Sequence, residues 1–318
     1  MRKAPRAIVL LGAQRFDPTL GDVVSALDID GPIATITAGW QERENDDQDL
    51  HEHLGRRTVN LRLHERAEDV FRSDPELHAA HRKRQEVLRH KQDFYRIRLE
   101  HELDAADVIR ARRAPPEIMT EELAASIESI RELDQWHLAQ CARVRDEFDH
   151  QWRPFERRAV ARHRREIEQV LAGCAALGVA GGHVASLLNR MLLFGIGSLL
   201  DGHYVFAWTA GAMALGERVV LFHDSPPQGP GAAEVLDRGL GLVRHLVPLP
   251  HPETRLRLDE RERVKLMARR FSPSACLTFP ARSHVTLRDG RFQSPSAVRV
   301  LRDDGAVEDL APDTVYEP

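Results

Sequence analysis

Thr209, His251 and Asp224 are the residue types that acyl transfer needs, and each follows an apolar, strand-like run. Thr209 closes Tyr204-Val205-Phe206-Ala207-Trp208 and is followed by Ala210-Gly211-Ala212-Met213-Ala214-Leu215. A buried strand, a turn of small residues and a helix make the outline of a nucleophile elbow, which presents one side chain above free helix N–H groups. The hydroxyl at this apex belongs to Thr209. It becomes a nucleophile only when an imidazole takes its proton, and the imidazole needs a carboxylate to fix its tautomer. Asp224 ends Val219-Val220-Leu221-Phe222-His223, and His251 ends Val247-Pro248-Leu249-Pro250, both downstream of the elbow. Upstream, Val179-Ala180-Gly181-Gly182-His183 reads as a strand running into a glycine pair. Backbone without Cβ atoms can approach a substrate there and offer N–H groups to an oxyanion. Each part also has a plain reading. His251 fits a surface or helix-capping histidine, Asp224 a turn acid before Ser225-Pro226-Pro227, and Gly181-Gly182 an ordinary turn.

The elements that must position these residues fall into three composition zones. From Ala7 to about Val70 strand and helix signals alternate, with strands expected at Ala7–Leu11, Ile33–Ala38 and Thr58–Leu63. The alternation implies a parallel sheet. From about Ala67 to Ala172, Arg, Glu, His, Asp and Gln dominate and glycine is missing until Gly173. Ile127, Ile130, Leu133, Cys141, Val144, Phe148, Trp152 and Phe155 recur at mostly three- and four-residue steps, the apolar face of a long helix. Pro115-Pro116 separates it from an earlier helix around Val87–Ile109, and Pro154 should break it. These charges read as solvated helix faces. The aromatic residues Trp136, Phe148, Trp152 and Phe155 are many for a lone hairpin and suit an interface with a second copy, so a homodimer is expected. From Gly173 to about Phe279 the α/β alternation resumes, and short strands are expected at Cys276–Phe279, Ser283–Leu287 and Ala297–Leu301, with turn signals after the last two.

Composition excludes several classes. The 318 residues are 42% hydrophobic and carry a net charge of −4, which supports a full core and gives no basic footprint for nucleic acid. Cys141, Cys174 and Cys276 are scattered and odd in number, which fits a reducing cytoplasm rather than a disulfide framework. No apolar run is long enough to span a bilayer, so no membrane partner is expected. His51-Glu52-His53 is too closely spaced for a zinc helix, and His78, His81 and His90 fit chance placement on a charged helix. No Walker A loop or GxGxxG follows a strand, so neither metal nor cofactor is expected. Cys174 precedes the glycine-pair strand and sits on no elbow.

The ordered set Gly181-Gly182, Trp208-Thr209-Ala210-Gly211-Ala212, Asp224, Gly239-Leu240-Gly241-Leu242 and His251 with Arg255 and Arg257 resembles the peptidase S51 family. That family includes dipeptidase E and cyanophycinase, within the class I glutamine amidotransferase-like superfamily. The resemblance covers Gly173–Phe279 well and Ala7–Val70 loosely, and leaves out the helical zone. It implies a flavodoxin-like three-layer α/β/α fold with a parallel sheet. On that fold, residues 1–66 and 173–279 form the α/β domain. Residues 67–172 form a long all-helical insertion, and 280–318 a small β-rich extension. It also implies Thr209 as nucleophile, His251 as base, Asp224 as acid, and Gly181, Gly182 and Ala210 around the oxyanion. Trp208, Arg255 and Arg257 would contact a peptide or small amide substrate, the arginines by pairing with a carboxylate. Glu253, Asp259 and Glu260 are alternative acids near His251.

The chain departs from the family at the nucleophile, where a Ser-Ala-Gly-Ala elbow is expected and Thr209-Ala210-Gly211-Ala212 stands. The extra methyl restricts χ1 and crowds either His251 or the incoming carbonyl. Two functions follow: an S51-like hydrolase, or a catalytically degenerate scaffold that assembles through its helical insertion. An acyl- or amidotransferase reusing the elbow is a third. The insertion enters after the third strand and returns before the glycine-pair strand, where it could overhang the ligand-binding edge of the sheet.

Overall fold

A computed structural model of the chain describes residues 4–224, 231–311 and 314. The Ser225-Pro226-Pro227 turn lies outside the described residues. The first part of the chain runs β1 (Ala7–Leu11), α1 (Leu20–Ala26), β2 (Ile33–Ile36), α2 (Gln48–His53), β3 (Thr58–Asn60) and α3 (Leu63–Ser73). Two long helices follow, α4 (Pro75–Arg110) and α5 (Pro116–Trp152), and then α6 (Arg158–Ala172). The next part runs β4 (Ala176–Val179), α7 (Val184–Leu193), β5 (Tyr204–Trp208), α8 (Ala210–Leu215), β6 (Arg218–Leu221) and β7 (Glu234–Arg238). After these come β8 (Leu246–Pro250), α9 (Pro252–Arg255), α10 (Arg261–Phe271) and β9 (Ala275–Phe279). The chain closes with β10 (His284–Arg288), β11 (Arg291–Ser296), β12 (Arg299–Leu301) and β13 (Val307–Asp309).

The main sheet has seven strands in the order β11-β10-β1-β5-β4-β2-β3. The five strands from β1 to the edge strand β3 are parallel, and β10 and β11 add antiparallel at the other edge. Strands β1, β2 and β4 are buried throughout, as continuous apolar runs must be when both faces are covered. Alternate side chains serve two cores. Ile8 and Leu10 join Leu63, Val70, Ile167 and Leu171 of α3 and α6, while Val9 and Leu11 join Leu20, Val23 and Val24 of α1. This is a three-layer α/β/α arrangement. A smaller sheet, β13-β12-β9-β8, and the β6-β7 ribbon flank it.

Several boundaries differ from the sequence expectation, and β2 stops at Ile36 rather than Ala38. The third strand stops at Asn60 rather than Leu63, because α3 begins at Leu63. The cap of α3 is distant in sequence: the buried Glu44 carboxylate accepts from the N–H groups of His64 and Glu65, both at 2.9 Å. The C-terminal region is β-rich, as expected, and its strands are divided between two sheets. β10 and β11 complete the main sheet, and β12 and β13 complete the smaller one. Within the helical zone, α3 and α6 cover the main sheet, and only the α4–α5 hairpin projects from it. Its ends follow local chemistry. Asp74 caps α4 through the Leu77 N–H at 3.1 Å, with Pro75 at the first turn. Arg153, in the left-handed conformation, ends α5 before Pro154.

The hairpin is fastened to the body by a buried polar knot. Asp134 of α5 accepts two bonds from the Arg270 guanidinium of α10, each 2.7 Å, and one from the Tyr95 hydroxyl of α4, also 2.7 Å. Tyr95 accepts in turn from the Val235 N–H of β7 at 3.1 Å. Burial works against the Arg270 charge, but its hydrogen bonds to Asp134 outweigh it, so its pKa lies above the ordinary arginine value. Arg145 pairs with Asp237 and Arg96 with Glu234, adding two ties to β7. Removing one partner of a buried pair strands the other's charge, at a cost of about 3–5 kcal/mol. Asp134→Ala is therefore expected to lower unfolding stability by that much in urea titrations monitored by circular dichroism. A loss under about 1 kcal/mol would show that the knot does not hold the hairpin.

Candidate active site

Thr209 sits where β5 turns into α8, with φ 50° and ψ −121°. A β-branched side chain at positive φ is strained and persists only where its surroundings over-determine it. Here β5 is clamped between β1 and β4, and every residue of α8 is buried. The elbow expected from the sequence is thus present as backbone geometry.

Gly181 supplies the room. A Cβ on it would overlap the Thr209 Oγ1, well inside the 3.0 Å that real Cβ atoms keep, and would lie 3.5 Å from the Ala210 N. A Cβ on Gly182, which has φ 107°, would strike the Gly39 carbonyl, and one on Gly39 would strike the Gly181 carbonyl. The His183 N–H donates to the Gly39 carbonyl at 2.7 Å and secures this crossing. The ends of β2, β4 and β5 therefore meet backbone to backbone. The chain leaves β2 toward β3 on one side and returns to β4 on the other, which is the switch point where open α/β sheets bind ligands. The Gly182 N–H makes no hydrogen bond within the described residues, and Ala210, first in α8, has no intrahelical acceptor for its own. Gly39 was not foreseen; its only signal is a glycine just beyond a strand.

His251 ends β8 in the left-handed conformation, φ 57° and ψ 47°. Its ring is half-buried. Burial first, and then the nearby Arg255 charge, lower its pKa below the ordinary 6.5, with Glu253 pulling the other way. The imidazole is therefore neutral at neutral pH, the state a general base requires. Thr209 and His251 both line two cavities. One, of about 490 Å³, also includes Ala210, Arg96, Glu234 and Arg255. The other, of about 600 Å³, includes Gly181, Trp40, Phe16 and His53. Gly182 borders both. No hydrogen bond joins Thr209 to His251, or His251 to any carboxylate, among the described residues.

Asp224 is placed elsewhere. Its carboxylate accepts from the Arg263 guanidinium at 2.7 Å and from the Arg257 N–H at 3.0 Å, and its own N–H donates to the Arg255 carbonyl at 2.7 Å. The structure therefore corrects the expectation that Asp224 orients His251: both oxygens are taken, and Asp224 holds the turn that carries Arg255. Arg263 is the partner that sequence order did not reveal. Glu260 pairs with Arg257 at 2.7 Å and also faces Arg263, so it does not serve His251 either.

The two expected substrate arginines separate. Arg257 is paired with Glu260 and lies outside both Thr209 cavities. Arg255 is half-buried, forms no ion pair among the described residues, and has its pKa lowered by burial. Trp208 is buried, with its ring against Gly178, and shows only an edge to the second cavity. Arg96, from the helical hairpin, was not anticipated. It brings α4 to the rim of the Thr209 cavity, bonded to Glu234 at 2.7 Å. A larger cavity, about 730 Å³, lies between α4 and α10 and contains neither Thr209 nor His251. Among the described residues no cluster of His, Cys, Asp and Glu is arranged to hold a metal, and no helix is long and apolar enough to cross a membrane.

No family model and no curated protein matches the chain. Among solved structures, it is similar to a peptidase from an acI-B1 Actinobacterium, with 13% identity and a TM-score of 0.45, over 98% of this chain and 99% of the other. It is also similar to a protein from Listeria monocytogenes EGD-e provisionally assigned as peptidase E. There the identity is 11% and the TM-score 0.40, over 97% of this chain and 100% of the other.

Gly181→Ala is expected to displace the Thr209 hydroxyl and to cost about 1–3 kcal/mol through overpacking. A crystal structure of the variant with Oγ1 unmoved would contradict this account of the elbow.

Proposed function

We propose that the chain is a hydrolase of the peptidase S51 type, cleaving a peptide or related amide bond with Thr209. The observation that carries this reading is the Thr209 backbone, a β-branched residue held at φ 50° and ψ −121° between a buried strand and a buried helix. Strain of this kind concentrates at active sites, where it holds a reacting group in place. In the proposed reaction, Thr209 Oγ1 attacks the carbonyl carbon while its proton passes to His251. The carbonyl oxygen becomes an oxyanion facing the Gly182 and Ala210 N–H groups. Collapse breaks the C–N bond, and His251 protonates the leaving amine. Water, deprotonated by His251, then hydrolyses the threonyl ester and regenerates the hydroxyl.

Cavities on both sides of the hydroxyl suit a bond with substituents on both sides. The unpaired Arg255 guanidinium suits a substrate carboxylate on one of them, so acidic peptides are the favoured class. Catalytic hydrogen bonds are often loose in unliganded enzymes and tighten with substrate, which accommodates the open Thr209–His251 pair.

Purified full-length protein should release amine from Asp-containing peptides. Thr209→Ala is expected to reduce turnover by about 10³-fold or more with the fold intact. Thr209→Ser, which removes the crowding methyl, is expected to raise kcat, by up to roughly a hundredfold. Arg255→Gln should raise KM for acidic peptides by about 10- to 100-fold and leave neutral ones little changed. The open pair, and a His251 without a carboxylate, favour a second reading, a scaffold that has lost catalysis. Absence of turnover, together with no fluorophosphonate adduct on Thr209, would decide for it.

A further inference from the structure

Helix α4 buries Gln92, Tyr95 and Leu99 against the rest of the molecule and leaves the opposite face bare. On that face Phe94 is 63% exposed and Ile97 54%, with Val87 and Val108 also in solvent. With His90 and His101, also exposed, the run Val87, His90, Phe94, Ile97 and His101 follows the alternating three- and four-residue steps of a coiled-coil seam, and Val108 lies one heptad beyond His101. Trp136 of α5, exposed under the Arg98 guanidinium at 4.5 Å, widens the stripe. An apolar stripe of this length on a helix already docked on its other side marks an interaction surface.

Charge order says what fits it. Residues 75–92 of α4 carry Arg82, Lys83, Arg84, Arg89 and Lys91 against Glu76 and Glu86, a net charge of +3. Residues 93–110 carry Asp93, Glu100, Glu102, Asp104 and Asp107 against Arg96, Arg98 and Arg110, a net charge of −2. This order does not serve the helix's own dipole, which favours acids at the start and bases at the end. Nor is it used inside the protomer, since Arg82, Lys83, Arg89, Glu100, Glu102 and Asp104 form no ion pair among the described residues. A parallel copy would set like charge on like. An antiparallel copy sets basic half on acidic half.

We infer that α4 is the seam of a homodimer, with two copies of this chain packing their α4 helices antiparallel across a two-fold axis near residues 95 and 96. In that register Phe94 lies against the partner's Ile97, and each copy completes the other. Arg89 and Lys91 then lie opposite the partner's Glu102 and the partner's Glu100. His90 faces the partner's His101.

The test is the mass of the 318-residue chain by analytical ultracentrifugation at low salt. The wild type is expected at twice the 36.0 kDa protomer mass, weakening as added salt screens the flanking charges. The double variant Phe94→Glu with Ile97→Glu alters only exposed side chains and should run at protomer mass with an unchanged circular dichroism spectrum. The variant Arg89→Glu with Lys91→Glu, and the variant Glu100→Lys with Glu102→Lys, should each be monomeric alone and dimeric when mixed. A wild type at protomer mass up to about 100 μM would leave the stripe to a different protein and overturn the inference. So would a dimer that survives Phe94→Glu with Ile97→Glu, or charge variants that dimerise alone.

Discussion

Much of this molecule depends on one crossing of bare backbone at the C-terminal edge of the main sheet. Gly39, Gly181 and Gly182 stand where a single Cβ would strike a carbonyl or the Thr209 hydroxyl, and a Cβ on Gly211 would strike the Val179 carbonyl. The ends of β2, β4 and β5 can approach only because these positions carry no side chain. That approach presses Thr209 into its strained conformation, and the neighbouring buried strands keep it there. The site is a consequence of packing before it is a matter of reactive groups.

The remaining parts come from separate elements. His251 and Arg255 are carried by the end of β8 and by α9, on the smaller sheet, while Thr209 belongs to the main one. Asp224 is spent on the turn between them. It fixes Arg255 through backbone bonds and draws Arg263 in with a charge-assisted one. The Asp224 bond, acting against partial burial, raises the Arg263 pKa. The carboxylate thus positions the cation that faces the cavity and leaves the imidazole to its own surroundings.

What was legible in the sequence was what neighbouring residues determine. The elbow showed in Trp208-Thr209-Ala210-Gly211 because strand, turn and helix follow one another directly. The hairpin ends showed at Pro115-Pro116 and Pro154 because proline acts where it stands. Contacts made across the fold did not show. Glu44 caps α3 from twenty residues upstream, so no local signal marked that helix start. Arg263 reaches Asp224 across 39 residues and Arg96 reaches Glu234 across 138, with several helices and strands between, and either carboxylate read in sequence order looks free. Of the terminal strands, β10 and β12 showed in the sequence, and β11 and β13 did not. Their destinations, two different sheets, depend on which edges were left unpaired, and that is a property of the whole fold.

The knot of Tyr95, Asp134 and Arg270 has an evolutionary consequence. Two of its members belong to the hairpin and one to the body. A lineage that lost Asp134 while keeping the hairpin and the arginine would carry a guanidinium in a dry pocket with nothing to neutralise it. A lineage that lost the arginine first would leave a carboxylate stranded instead. Neither intermediate is neutral, so Asp134 of the hairpin and that one position of α10 are expected to change only together.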